Sequence, residues 1–446
     1  MSSVALRRFA LALCLVASAA SAQSPAPTIA AGPMVGASEM REVQLWVQTT
    51  APARIQFVYW DTAAPGTKRR SAEVRTRDAL ANTAQVALGT LEPGRRYAYE
   101  VLINGKPAPR TYPLRFQTQA LWQWRADPPA FRMALASCFY VNEPGYDRPG
   151  RPYGSEYEIL DALNATAPDV MLWLGDNTYT READWYSRSG FLARYSHTRA
   201  LPQLQPLLGR THHYATWDDH EYGPNDADRA FRDKRLALEA FNGFWANPAP
   251  ALGPDAGVTT MFQWQDVDVF LLDDRWFRAP NNRKTGRRDY LGPTQLEWLI
   301  DQLTSSRAPF KLVAVGGQVL SPARIFENYA NYVDEREQLL QTLAAERIPG
   351  VVFLTGDRHH TELTRLDRPG VPPLLDLTVS ALTAGSNPNG INEPNTLRVP
   401  DTFVGVHNFG LLDFSGPRTD RVMTMSIRDV KGDVKWSRTI KASELR

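Results

Sequence analysis

The chain has 446 residues, 43% hydrophobic and 22% charged, with a formal net charge of +2. Apolar content at that level excludes a disordered chain, which cannot bury enough surface to offset its conformational entropy. The near-neutral balance excludes the large basic excess of a nucleic-acid or polyanion binder, and the length accommodates two or three domains.

Residues 1–22 read as a secretory signal. Arg7 and Arg8 form its basic start, residues 9–19 its apolar stretch, and Ala20-Ser21-Ala22 a small-residue cleavage site. Removing both arginines takes the charge from +2 to 0. The expectation is an exported protein, periplasmic or secreted, monomeric, and without a transmembrane segment. Arg7-Arg8-Phe9 leaves the general and twin-arginine export routes both open. Cys14 leaves with the signal, so Cys138 remains as the sole thiol. It is either a buried inert thiol or a thiolate held by a metal.

Residues 23–33 are rich in Pro, Ala and Ser and read as a flexible leader. Residues 34–119 read as an all-β module, with Val43, Leu45, Val47 and Ile55, Phe57, Tyr59 alternating with polar neighbours. Its 91–101 segment, a turn followed by Tyr97, Tyr99 and Val101 on one face, resembles the tyrosine corner of fibronectin type III-like sandwiches. From residue 120 the pattern turns to alternating strands and helices. Strands are expected at 132–137, 170–174, 310–315 and 350–354, with a hairpin around Gln265-Asp266. Helices are expected at 155–164, 228–245 and 334–346, the last with Asp334 and Glu337 as a capping box, and one opens at Gly292-Pro293. The tail, 407–441, reads as strands. This is an α/β layered domain with buried sheets.

Four strands run into unusual residues. They lead to Cys138, to Asp176-Asn177-Thr178-Tyr179, to Asp218-Asp219-His220-Glu221, and to Asp357-Arg358-His359-His360. Sites in layered α/β proteins lie beyond the carboxyl ends of strands. If these strands share one sheet, the four clusters converge on one crevice. Carboxylates and imidazoles suit divalent metals, while thiolate and phenolate suit a ferric ion. Asp176 is the expected bridge of a two-metal clamp for phosphoryl displacement. Arg275 and Arg278 follow another strand, as a phosphate-binding fork or as a surface salt bridge with Asp273 or Asp274. Asn177 and Arg275 are the candidate substrate contacts. His197, His212 and His213 read as ordinary surface or loop histidines, and His360 is expected to point away from His359.

These motifs resemble the metallophosphoesterase superfamily and, in their departures from it, its alkaline phosphatase D (PhoD-like) family. Ala136-Ser137-Cys138 stands in place of an Asp-x-His motif, and Gly175-Asp176-Asn177-Thr178-Tyr179 carries a tyrosine in place of Asp or Asn. Trp217-Asp218-Asp219-His220-Glu221 and Gly356-Asp357-Arg358-His359 replace the Gly-Asn-His and Gly-His-x-His motifs, and Gln318-Val319 matches a further element. The resemblance implies a layered metallophosphoesterase-type β-sandwich flanked by helices over 120–446, preceded by a fibronectin type III-like domain. It implies ferric iron on Cys138, Asp176 and Tyr179, and calcium or another divalent metal on Asp176, Asp219, Asn225 and Asp357. His359 is a further ligand candidate, and Asp219, His220 and His359 are the catalytic candidates. Phosphate-ester small molecules are the implied substrates. A phospholipase- or nuclease-type activity on the same scaffold and a non-catalytic surface binding protein are the alternatives.

Overall fold

The computed structural model describes residues 25–446. The expected signal segment, including Arg7-Arg8, lies outside the described residues. No described helix is long and apolar enough to cross a membrane.

Two sheets face each other. The strands Phe131–Ala136, Val170–Leu174 and His212–Thr216 run parallel at the centre of a nine-stranded sheet. Three antiparallel strands from Asn408 to Lys441 extend it on one side, as expected of the tail. The second sheet has six strands. It begins with a hairpin, Thr260–Trp264 and Val267–Leu271, turning at Gln265-Asp266 as expected, and continues through the parallel strands Phe310–Ala314, Val351–Thr355 and Leu374–Thr378.

Alternation along the strands builds the layers. Met133, Leu135, Leu172 and Leu174 point inward against Leu271, Leu312, Val352 and Leu354 of the facing sheet. Their neighbours Ala134, Ala136, Met171 and Trp173 point outward, under the helices Glu158–Ala165, Arg188–Arg199 and Lys234–Phe244. The helices Pro293–Ser305 and Val333–Ala345 cover the other sheet. Strands covered on both faces need apolar side chains at every position. This is why they read as unbroken apolar runs.

The structure departs from the sequence reading in several places. Part of the expected leader is the strand Ile29–Ser38, which pairs in parallel with His212–Thr216 through Val35 and His212. The Pro, Ala and Ser content of the leader suggested coil, but tertiary pairing overrides that propensity. The β-module therefore shares the nine-stranded sheet instead of standing apart, through Ile29–Ser38, Val43–Thr49 and Thr83–Leu88. Its Tyr97 hydroxyl accepts the Glu92 N–H at 3.0 Å. His212 and His213 are buried in a strand, not on a surface or loop. Nδ1–H of His212 donates to the Gly36 carbonyl at 2.8 Å and Nε2 accepts the Gln117 N–H at 3.1 Å, tying the module to the sheet. The 228–245 helix begins only at Lys234, and Val333–Ala345 has no capping box. Arg188–Arg199 went unread because its buried face includes Arg194, Thr198 and Arg199. Arg194 is tolerated there by carboxylates at 2.6 Å (Glu143) and 2.8 Å (Asp184), pairings invisible to apolar periodicity.

Candidate metal centre

The four strand ends do converge, though not from one sheet. Cys138, Asp176 and Asp218-Asp219 leave three strands of the nine-stranded sheet, and Asp357 and His359 leave Val351–Thr355 of the six-stranded one. The site therefore straddles the rim of the sandwich. Cys138, Asp176, Asp357 and His359 all have φ between 53° and 63°. Left-handed backbone is uncommon outside glycine, though Asp and His adopt it more readily than most residues, and it lets the chain turn sharply at each of these strand ends. Glycines allow the ends to approach. A Cβ on Gly356 would sit 2.6 Å from that of Ser137 across the two sheets, and one on Gly316 would sit 2.5 Å from the Asp218 carboxyl carbon.

Glu221 organises the centre from beneath. It is fully buried and accepts backbone N–H groups from Asp176 at 3.0 Å, Thr178 at 3.2 Å and Asp218 at 3.0 Å, and also from Asn177. One carboxylate thereby sets the turn that carries Asp176 and Tyr179. Asp176 receives the Tyr179 hydroxyl at 3.1 Å, and the Cys138 sulfur stands 3.6 Å from it. The Cys138 sulfur accepts the Ser380 hydroxyl at 3.0 Å. The His359 imidazole is oriented through Nδ1–H, which donates to the Gly385 carbonyl at 2.5 Å. Its Nε2 lone pair then faces Tyr179, 3.3 Å from the hydroxyl.

Among the described residues, four trios place their ligand atoms within 4.8 Å of one another: Cys138–Asp176–His359, Asp176–Asp219–His220, Asp176–Asp218–Asp357 and Asp218–Asp219–Glu327. Asp176 belongs to three of them. Glu327 was missed in the sequence, since it follows no strand and only tertiary proximity reveals it. Asn225 is exposed at the mouth of the site and bonds its neighbour Asp226, whose N–H reaches Asp219 at 2.7 Å. His360 is buried beside Glu362, away from the cluster.

Both expected substrate contacts are corrected. Arg275 is fully buried, so it is not a phosphate fork; the expected ion pair with Asp274 forms at 3.6 Å, in the interior and not at the surface. Its guanidinium bonds Asp218 through Nε at 2.6 Å and Glu327 at 2.7 and 2.8 Å. Asn177 is buried, and its amide nitrogen donates to the Thr216 carbonyl at 2.8 Å.

The electrostatics call for a cation. Burial, then the neighbouring Asp219, Cys138 and Glu221, pushes Asp176 well above the ordinary carboxylate range. Burial raises Glu221 to about 8, Asp357 to about 6 and the Cys138 thiol to about 11. Asp219 is held below the usual range because His220, Arg275 and the Asp226 N–H outweigh its burial. One buried Asp218 oxygen has no hydrogen-bond partner. Carboxylates, imidazoles and a thiol that cannot all ionise unaided, with an acceptor left over, form a donor set that fits metal.

A pH dependence follows for chelator-treated protein. Acids with raised folded-state pKa values retain protons that the unfolded chain has released. Their contribution is complete below about pH 4 and is lost as pH rises through about 6 and 8. Thermal midpoints of the chelated protein are expected to fall between pH 4.5 and 8, and those of metal-loaded protein to change far less. Equal slopes would mean that no metal neutralises the cluster.

Two stacked mixed sheets between helices, with ligand-type side chains gathered where the strand ends meet, define a metallophosphoesterase-type fold. A model of the PhoD-like phosphatase family matches residues 133–408, and the chain belongs to that family. Residues 26–120 match a domain family of unknown function, DUF7800. Alkaline phosphatase D of Bacillus subtilis (strain 168) is 23% identical over 360 residues, covering 69% of this chain. That match spans 59% of the relative's own length. Among solved structures, PhoD superposes with a TM-score of 0.76 at 17% identity, covering 95% of this chain and 92% of its own. Purple acid phosphatase PPD1 from yellow lupin (Lupinus luteus) seeds gives 0.65 at 13% identity, covering 93% and 74%.

Proposed function

We propose that the protein is an exported, metal-dependent phosphoesterase that hydrolyses small phosphate esters. The observation that carries this reading is Asp176, shared by three ligand trios at the joint of the two sheets. Cys138, Asp176 and Tyr179 would hold a ferric ion, and Asp176, Asp219, Asn225 and Asp357 a calcium ion or another divalent metal, with His359 as a further ligand. When bound, such a pair makes water more acidic and neutralises phosphoryl oxygens. The chain's own residues do the rest. Glu221 holds the Asp176 turn rigid, and Arg275 orients Asp218 and partly opposes the burial that pushes its carboxyl well above the usual range. Burial lowers the proton affinity of both His220 and His359, so each imidazole keeps a lone pair in the resting protein. His220 lines the cleft beside Tyr179 and Asn225. An incoming anionic ester raises its proton affinity, which suits it to hand a proton to the leaving oxygen. The module at residues 34–119 is read as fibronectin type III-like, supported by the Tyr97–Glu92 hydrogen bond.

Metal analysis of natively exported protein, with a visible spectrum, tests the assignment. A tyrosinate–ferric charge-transfer band is expected, and zinc occupancy without a band would remove iron from the account. Cys138→Ser is expected to bleach that band and lower kcat/KM at least about tenfold; unchanged kinetics would exclude a ligand role. Metal-free native protein inert toward every phosphoester would favour the binding-protein reading.

A further inference from the structure

Beside the centre lies a cleft of about 270 Å³. Tyr179 and His220 close its inner end, and Tyr140, Tyr153 and Trp185 also line it. The tyrosines form a continuous aromatic wall: the Tyr140 ring lies 5.1 Å from Tyr179 and 5.0 Å from Tyr153. Tyr153 is half-exposed, and its hydroxyl lies 3.2 Å from Nδ1 of His359, so the wall runs from the metal ligands out to solvent.

The charges lining the cleft are uneven. Asp147 is committed to Arg181 at 2.7 Å and to the Tyr140 hydroxyl at 2.8 Å, and Glu182 pairs with Arg148 at 3.7 Å. Arg151, also lining the cleft and exposed, has no carboxylate within 4.0 Å among the described residues. The lining thus offers ring faces near the centre and one uncompensated guanidinium. The volume lies just under the ~300 Å³ at which small-molecule pockets begin. It suits one ring with a small substituent, not a polymer segment.

We propose that this cleft is the leaving-group subsite, taking esters whose leaving group lays an aromatic ring against Tyr153 and Trp185 and offers a second anionic group to Arg151. The inference rests on the phosphoesterase reading for the identity of the inner end. Stacking on aromatic faces and an ion pair to a guanidinium are the recognition chemistries these side chains supply.

Non-hydrolysable phosphonates separate the two readings. Calorimetric titration of metal-loaded full-length protein would compare methylphosphonate, phenylphosphonate and 4-phosphonobenzoate. Phenylphosphonate is expected to bind more tightly than methylphosphonate, and 4-phosphonobenzoate about threefold to fivefold more tightly again, the range for an ion pair at an exposed rim. Arg151→Ala should collapse the carboxylate preference to about onefold, and Arg151→Glu should reverse it. Equal affinities in the wild type, or a preference that survives Arg151→Glu, would overturn the subsite. Turnover of 4-carboxyphenyl phosphate is measured on the same sample. Turnover without a binding preference overturns the subsite and leaves the phosphoesterase reading standing. A preference without turnover removes that reading and the leaving-group role with it, leaving the cleft as a binding site for aromatic anions.

Discussion

Asp176→Asn is expected to reduce kcat/KM by at least about 100-fold and, at the same time, to raise the thermal midpoint of the metal-free protein. The two effects share one cause. Asp176 is fully buried among Cys138, Asp219, Glu221 and Asp357, an arrangement that disfavours its ionised form. An amide of the same shape keeps one acceptor for the Tyr179 hydroxyl, at 3.1 Å in the native side chain, and carries no charge to bury. Without metal, the variant is relieved of a repulsion. With metal, it has lost the ligand common to three trios. Metal content, steady-state kinetics and melting curves on one preparation check this. A variant that is inactive but also less stable when metal-free would show that Asp176 serves the fold instead. A gain in stability at a position essential for activity marks strain held for function.

Arg275→Met is the second large effect, and it falls on stability. The side chain is fully buried and bonds Asp218 and Glu327, themselves at most 4% exposed. Removing one partner from a buried ion-pair network leaves uncompensated charge and costs about 3–5 kcal/mol. Urea unfolding should show that loss as a lower midpoint at unchanged slope. A phosphate-binding arginine would behave differently, raising KM with stability nearly intact. That result would restore the phosphate fork that the burial of Arg275 argues against.

The residues of the centre were readable because each ends a recognisable strand. An apolar run stopping at Gly-Asp or at Asp-Asp-His announces a polar group at a buried strand end, which is costly without a cation. Glu327 carried no such signal, and Glu221 looked like one more charge in a run. Only folding shows Glu221 accepting four backbone N–H groups. Arg275 was misplaced for a related reason. Local sequence shows a charged residue after a strand, and nothing local reveals the burial that pairs it with Asp218, 57 positions away.

By itself, the sequence determined the layered α/β class, the apolar strands, the clusters at their ends and the family pattern they form. These follow from local periodicity and from the cost of burying charge, which a residue and its near neighbours express together. Tertiary structure alone decided that the clusters meet across two sheets, that the N-terminal strand completes the larger sheet, and which charges face the cleft. Those outcomes depend on pairings between residues far apart in the chain, such as Val35 with His212 and Gly356 against Ser137. No local pattern encodes such pairings, because the energy that selects them exists only once the sheets are packed.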